Sequence, residues 1–179
     1  MEKDIRQGRI WVLLDKDGKI IEDVDTDQIY HNAHLHITDI AEMGQFALGN
    51  LEGWTDFPKK CQGGDIIIAG RNFGAGSSRQ QAVDCFIALK VNALLAPSFS
   101  AIYFRNAVNS GFPVLGVRDL ESLIAGKKFV TGDVIRFDVK TGQAENLSRG
   151  IPLKIEPMSS VQYEIFKAGD LFKYGKTLT

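Results

Sequence analysis

Continuous apolar runs alternate with amphipathic segments through the middle of the chain. The apolar runs predict buried strands at residues 65–70, 93–96 and 113–117. Between them, residues 78–91 and 100–110 repeat apolar side chains at helical spacing, and Gly111 closes the second helix. This strand–helix–strand–helix–strand order predicts right-handed crossovers and a parallel sheet.

The flanks of this core show a mixture of patterns. Strands are predicted at residues 9–14, within 127–146 and within 147–157, and helices at 39–48 and 159–174. Residues 51–64 are rich in turn formers and predict a long surface loop. No repeat or linker interrupts the chain. We therefore expect one α/β domain over residues 1–179, with a parallel βαβαβ core and additional strands.

Composition narrows the class of protein. The 179 residues are 44% hydrophobic, enough for a sizeable core. The 21 basic and 22 acidic residues give a net charge of −1, which argues against a nucleic-acid or membrane-surface partner. No apolar run is long enough to span a bilayer, and the first residues lack a signal-peptide pattern, so we expect a cytoplasmic protein.

Two cysteines, Cys61 and Cys85, lie far apart in the sequence. Reduced thiols are the simpler expectation, although a pairing between them stays open. Two thiols cannot supply the four ligands of a usual iron–sulfur cluster.

A glycine-rich stretch, GRNFGAGSSRQQAV, follows the strand at residues 65–70 and precedes the helix expected at 78–91. A dinucleotide fingerprint fails because Arg79 stands where the third glycine belongs, and a P-loop fails for want of a lysine. A nucleophile elbow fails because neither Ser77 nor Ser78 has a glycine two residues later.

Three interpretations of this turn remain. Ser77 or Ser78 could be the N-cap of the helix, the turn could bind an anion, or a serine could be catalytic. Two serines exceed what one cap needs, and Arg79 in the first helical turn would oppose the helix dipole unless an anion is bound. These residues therefore favour an anion site.

The motifs NFGAGSSRQQA and ALLAPSFSAIYFRNAVNSGFPVL, with DVDTDQI and FPKK upstream, resemble the aconitase superfamily's swivel domain. More narrowly, they resemble the small subunits of 3-isopropylmalate dehydratase and homoaconitase, over essentially the whole chain. The resemblance implies a swivelling β/β/α fold and hydro-lyase activity. It implies Ser77 as the base, Ser78 as support for an oxyanion, and Arg79 as the ligand of a substrate carboxylate, with Gly76 allowing close approach.

The resemblance also implies a partner. Family chemistry uses a [4Fe-4S] cluster as a Lewis acid, and this chain lacks the ligands for one. A cluster-binding large subunit is therefore expected, with the active site at the interface and a hydroxy di- or tricarboxylic acid as substrate. Homo-oligomerisation of the isolated chain stays open.

An acidic stretch beginning at Asp23 resembles a calcium loop but has Gln28 where glycine is needed and His34 where glutamate is needed. The resemblance instead matches Asp27 to an aspartate that orders the active site. His31, His34 and His36 lack a further ligand pattern, so no metal site is predicted.

The segment His34-Leu35-His36-Ile37 lies where the family sets substrate choice. His36 replaces the arginine of homoaconitase-type sequences, and Ile37 adds apolar surface, so an isopropyl substituent fits better. A protonated His36 could still meet a distal carboxylate. Gln80 stands where the family often has glutamate, and no function is assigned to it.

The leading hypothesis is the small subunit of a hydro-lyase that interconverts 2- and 3-isopropylmalate in leucine biosynthesis. A homoaconitase or other substituted-malate dehydratase is the nearest alternative. A non-catalytic anion-binding regulatory module is the alternative from a different class.

Overall fold

A seven-stranded sheet organises the computed structural model, which describes residues 4–178. The strands are β1 (Ile5–Val12), β2 (Ile66–Ile68), β3 (Ala93–Ala96), β4 (Val114–Gly116), β5 (Val134–Asp138), β6 (Gln143–Asn146) and β7 (Ile151–Lys154). Their order across the sheet is β4-β3-β2-β1-β5-β6-β7.

The sheet changes from parallel to antiparallel pairing at β1. Strands β1 to β4 are parallel, with Ile10 opposite Ile66 and Leu94 opposite Val114. On its other side β1 pairs antiparallel with β5, and β6 and β7 continue that pattern. The predicted parallel core and the additional strands are both confirmed, and β1 extends the parallel part to four strands.

Eight α-helices cover the sheet in the described residues. They are α1 (Thr26–Ile29), α2 (Ile40–Met43), α3 (Phe57–Lys60), α4 (Gln81–Ala88), α5 (Ala101–Asn109), α6 (Leu120–Ala125), α7 (Ser160–Ala168) and α8 (Leu171–Gly175). Short 3₁₀ turns lie at Asn32–His34 and Gly44–Phe46.

Two apolar cores lie on opposite faces of the parallel strands. Alternate side chains of β2 separate them, because Ile67 packs with α4 and α5 whereas Ile66 and Ile68 pack with α6 and β5. The fully buried strand residues explain why the central strands are apolar at every position.

Several predicted helix boundaries are wrong. The helix expected at 39–48 is α2 followed by a 3₁₀ turn, because Gly44 lies against Leu89 and the chain turns there. The helix expected at 159–174 breaks at Gly169, whose φ of 102° ends α7.

Other elements were missed. The loop at 51–64 contains α3 and buries Leu51 and Phe57, so it is partly core rather than surface. The short helix α6 was not predicted at all. The helix expected at 78–91 begins only at Gln81, which changes the position of the serines ahead of it.

Candidate active site

The glycine-rich turn lies at the carboxyl end of β2 and is held from two sides by backbone hydrogen bonds. On one side the Gly74 N–H donates to the Val24 carbonyl at 2.8 Å, and the Thr26 N–H donates to the Ala75 carbonyl at 2.8 Å. On the other side the Ser100 N–H donates to the Phe73 carbonyl at 2.9 Å. This is the edge at which open parallel sheets bind ligands.

Gly74 fits where no other residue would. Its φ is 81°, and a Cβ on it would overlap the ring of Tyr103. Gly76 also has a positive φ, 90°, and faces Thr26. These two glycines allow the turn to reverse against α1 and α5.

Ser77 and Ser78 are exposed and precede α4 instead of capping it. The N-cap is Gln80, which makes no side-chain capping bond, and Arg79 lies before the helix, not in its first turn. The N-cap interpretation is therefore wrong, and so is the argument that placed Arg79 in the first turn.

The backbone ahead of α4 is rich in available donors. Within residues 4–178, the N–H groups of residues 76–79 donate no hydrogen bond. They adjoin the positive end of the α4 dipole, which favours an anion. These backbone N–H groups therefore favour an anion site at the start of α4, beside the hydroxyls of Ser77 and Ser78.

Arg79 is half-enclosed and directed towards α1. Its Nη1 donates to Asp27 Oδ1 at 2.7 Å and to the Tyr30 carbonyl at 3.0 Å. Both hydrogens of Nη1 are thereby used. Nε and Nη2 have no partner in the described part of the chain, which leaves one edge of the guanidinium free for a carboxylate.

Asp27 has a second set of donors. Its Oδ1 also accepts from the Asn32 N–H at 3.1 Å, and its Oδ2 accepts from Asn50 Nδ2 at 3.2 Å. The hydrogen bond from Arg79 is the main reason that the pKa of the Asp27 carboxyl lies below its usual range. Asp27 is consequently a charged anchor for Arg79.

Asp25 has a purely local task. Its Oδ1 accepts from the N–H groups of Asp27 and Gln28, and the Gln28 side chain accepts from the Asp25 N–H, which forms a capping box on α1. Asp25 therefore fixes the helix that presents Asp27.

The histidine segment lies beyond Asp27. His31 Nε2 is 3.9 Å from Asp27 Oδ2, and the His34 ring stacks on Phe46 with centroids 3.9 Å apart. His31 and His34 line a cavity of about 390 Å³ together with Asn50. The segment is thus joined to Arg79 through Asp27.

His36 and Ile37 are placed differently from His34. The exposed His36 ring has its Nδ1 3.0 Å from the Ala33 carbonyl, and Ile37 packs against the core. Among the described residues, no hydrogen bond or ion pair joins either to Ser77, Ser78 or Arg79.

Sequence reasoning missed the amide side chains around the turn. Asn50 binds Asp27, Asn106 Nδ2 lies 3.5 Å from Ser78 Oγ, and Gln80 Nε2 donates to Asp84 and Ser110. Asn50 and Asn106 are far from their partners in sequence, and an amide has no pattern that would reveal such a bond.

Both cysteines are free thiols. Burial raises the pKa of Cys61 to about 12 and raises that of Cys85 further. Within residues 4–178, no group of three or more His, Cys, Asp or Glu side chains is arranged to hold a metal ion. In the same range, no helix is both long and apolar enough to cross a membrane.

Comparison with a family model and with a solved structure shows the class of domain to which this chain belongs. Residues 52–118 match the family model described as the aconitase C-terminal domain. The crystal structure of 3-isopropylmalate dehydratase from Methanocaldococcus jannaschii has a TM-score of 0.83 and 32% identity, and covers 97% of this chain and 95% of that one. The sheet and the Gly-Ser-Ser-Arg turn thus define an aconitase-type swivel domain.

Sequence relatives then identify the family. An isopropylmalate/citramalate isomerase small subunit of Methanocaldococcus jannaschii is 34% identical over 97% of this chain and 95% of its own. A 3-isopropylmalate dehydratase small subunit of Pyrobaculum neutrophilum is 40% identical over 89% of this chain and 96% of its own. The chain belongs to the family of 3-isopropylmalate dehydratase small subunits, which confirms the resemblance.

Proposed function

We propose that this protein is the small subunit of a cytoplasmic hydro-lyase that interconverts 2-isopropylmalate and 3-isopropylmalate in leucine biosynthesis. The observation that carries the proposal is the free edge of Arg79 beside two exposed serines and a row of unpaired backbone donors. Within residues 4–178, Nε and Nη2 of Arg79 and the Ser77 hydroxyl make no hydrogen bond, so these groups are available to a ligand. The arrangement suits a substrate carboxylate.

Arg79 is proposed to bind that carboxylate side-on. Because Nη1 is committed to Asp27 and the Tyr30 carbonyl, the bidentate contact uses Nε and Nη2. Asp27 keeps the guanidinium in this orientation. Because Gly76 has no side chain, the substrate can approach its backbone closely.

Ser77 is proposed as the base. It takes a proton from the carbon next to a carboxylate as the hydroxyl leaves the neighbouring carbon, and it holds that proton until water is added back. Readdition of water with the hydroxyl on the other carbon, and return of the proton by Ser77, gives the isomer. Ser78 and the unpaired N–H groups stabilise the negative charge that develops on the substrate.

A [4Fe-4S] cluster is proposed to lie in a large partner subunit, because this chain does not fit one. Burial raises the pKa of both thiols and they are distant in sequence, and within residues 4–178 no group of three or more His, Cys, Asp or Glu side chains is arranged to hold a metal ion. The cluster would supply the Lewis acid for the substrate hydroxyl. The small chain would close over it, so that both chains share the site.

Substitution of Ser77 tests the proposal in the complex reconstituted with a large subunit of this family. Ser77→Ala should lower kcat for 2-isopropylmalate by a factor of about 10² or more, in the range of general-base effects. Ser160→Ala, an exposed serine at the start of α7, is the matched control. Activity equal to wild type in Ser77→Ala would exclude this residue as the base.

A different substituted malate is the second candidate. It is favoured by the polar cavity beside Asp27, to which His31, His34 and Asn50 contribute, and by the exposed ring of His36. Wild type and His36→Arg should be compared on isopropylmalate, citramalate, homocitrate and citrate. We expect His36→Arg to shift preference towards the tricarboxylates, whereas an unchanged profile would remove the segment 34–37 from substrate choice.

A further inference from the structure

The three residues Ser78, Arg79 and Gln80 direct their side chains alternately to two helices. Arg79 reaches α1, through Asp27. Its neighbours Ser78 and Gln80 reach α5, through Asn106 and Ser110. The segment between the glycine-rich turn and α4 is therefore held from both sides.

Gln80 makes two short hydrogen bonds in this arrangement. Its Nε2 donates to Ser110 Oγ at 2.8 Å and to Asp84 Oδ1 at 2.8 Å, so both hydrogens of the amide are used. Gln80 is the N-cap of α4 and Ser110 is the C-cap of α5. The bond thus ties the start of one helix to the end of the other.

Asp84 explains why the amide keeps this rotamer. The Asp84 carboxyl is only 9% exposed, and burial raises its pKa. Gln80 is its one side-chain donor in the described part of the chain. Removing the single donor of a buried carboxyl destabilises the fold. Gln80 and Asp84 therefore hold each other in these rotamers.

Ser110 and Asn106 complete the connection to the turn. Ser110 Oγ donates to the Asn106 carbonyl at 3.0 Å, and Asn106 Nδ2 lies 3.5 Å from Ser78 Oγ. Two links therefore join the segment 78–80 to α5, one through Gln80 and one through Asn106.

We propose that Gln80 is a positioning residue of the active site, which holds the Gly-Ser-Ser-Arg turn against α5 so that Ser77 faces the substrate. The inference rests on the proposed function and assigns a role to a residue that touches neither substrate nor cluster. Loss of the Gln80 bonds should lower kcat, because a displaced base slows proton transfer. Substrate binding should persist, because Arg79 is still anchored on α1 and still binds the carboxylate.

The test compares Gln80→Met with Gln81→Met. Methionine keeps the length of the side chain but removes both donors. Gln81 is the adjacent glutamine, and its side chain makes no hydrogen bond within residues 4–178. In the reconstituted complex, Gln80→Met should lower kcat about tenfold with KM changed less than twofold, and Gln81→Met should match wild type.

A second readout uses the isolated full-length chain and needs no activity. Amide hydrogen exchange of residues 82–84, whose N–H groups donate to the carbonyls of Arg79 and Gln80, should accelerate about tenfold in Gln80→Met and stay unchanged in Gln81→Met, with other segments unaffected. Faster exchange with wild-type kcat, or lower kcat without faster exchange, would overturn the inference. A wild-type complex without isomerase activity would instead refute the proposed function, and the exchange data alone would still decide whether Gln80 holds the turn.

Discussion

A buried carboxylate precedes the central strand of the parallel sheet. Asp65 is only 4% exposed, and its oxygens accept from Arg9 Nη2 at 2.7 Å, Trp11 Nε1 at 2.7 Å and the Gln62 N–H at 2.9 Å. Burial alone would raise the pKa of this carboxyl. The hydrogen bonds from Arg9, Gln62 and Trp11 outweigh it and hold the pKa below its usual range.

This depressed pKa predicts how stability depends on pH. The contribution of Asp65 is present above the unfolded pKa of about 3.9 and is lost as pH falls through the folded pKa. We expect Asp65→Asn to lower the free energy of unfolding at pH 7 by about 2–4 kcal/mol, with a smaller deficit at pH 3. Urea unfolding at both pH values measures it.

Asp17→Asn, in the exposed turn after β1, is the control and should change stability by less than about 0.5 kcal/mol. An equal deficit for Asp65→Asn at pH 7 and pH 3 would contradict the charge-based explanation.

The roles of individual residues could be predicted from the sequence only where those residues lie in a recognisable motif. The Gly-Ser-Ser-Arg turn and Asp27 were proposed on resemblance, and the structure joins Arg79 to Asp27 although 52 positions separate them. The catalytic role of Ser77 stays a prediction. Gln80 gave no signal, because its partner Ser110 is brought near only by the packing of α4 on α5.

At the scale of elements, the apolar strands were predictable and several helix ends were not. Strands β2, β3 and β4 are buried at nearly every position, so their composition alone marks them. Helix α4 begins late because the residues before it bond to α1 and α5 instead of continuing the helix. Tertiary contacts of this kind leave no periodicity in the sequence.

The glycine-rich turn offers a test at this scale. Gly74→Ala places a methyl group against the Tyr103 ring, whereas Gly18→Ala, at a similar φ of 77°, meets open space. Both variants place a Cβ at a positive φ, which costs about 1–2 kcal/mol. Only Gly74→Ala adds overpacking, so we expect it to be less stable than Gly18→Ala by a further 1–3 kcal/mol, roughly.

Urea unfolding of the two variants measures the difference. Equal destabilisation would mean that the turn relaxes away from α5 without cost, and would weaken the role given to the contact with Tyr103.

At the scale of the whole molecule, one apolar core buries the Cys85 thiol completely and the Cys61 thiol in part. Cys85 is completely buried and Cys61 packs against the same core. Their raised pKa values leave little thiolate at neutral pH, and thiolate is the reactive form.

We therefore expect the native chain to react with iodoacetamide at pH 7.5 at least tenfold more slowly than the same chain in urea. Mass spectrometry of the labelled protein measures both rates, and Cys61→Ser reports Cys85 alone. Rapid labelling of native Cys61 would contradict the burial that raises its pKa.

The overall architecture was largely predictable, since alternating strands and helices admit few topologies. The antiparallel extension from β1 to β5 could not be placed in advance, because it joins residues that lie far apart in the sequence. That residues 1–179 form one domain stays a prediction.

The two edges of the sheet bear on how further chains can attach. The outward carbonyls of Val114 and Gly116 on β4 already accept from Gln162 Nε2 and the Glu156 N–H. At the opposite edge, Pro152 within β7 has no main-chain donor. Both edges are therefore poor templates for strand addition, which disfavours edge-to-edge aggregation. A large subunit would accordingly dock through helices and loops, and not by extending the sheet.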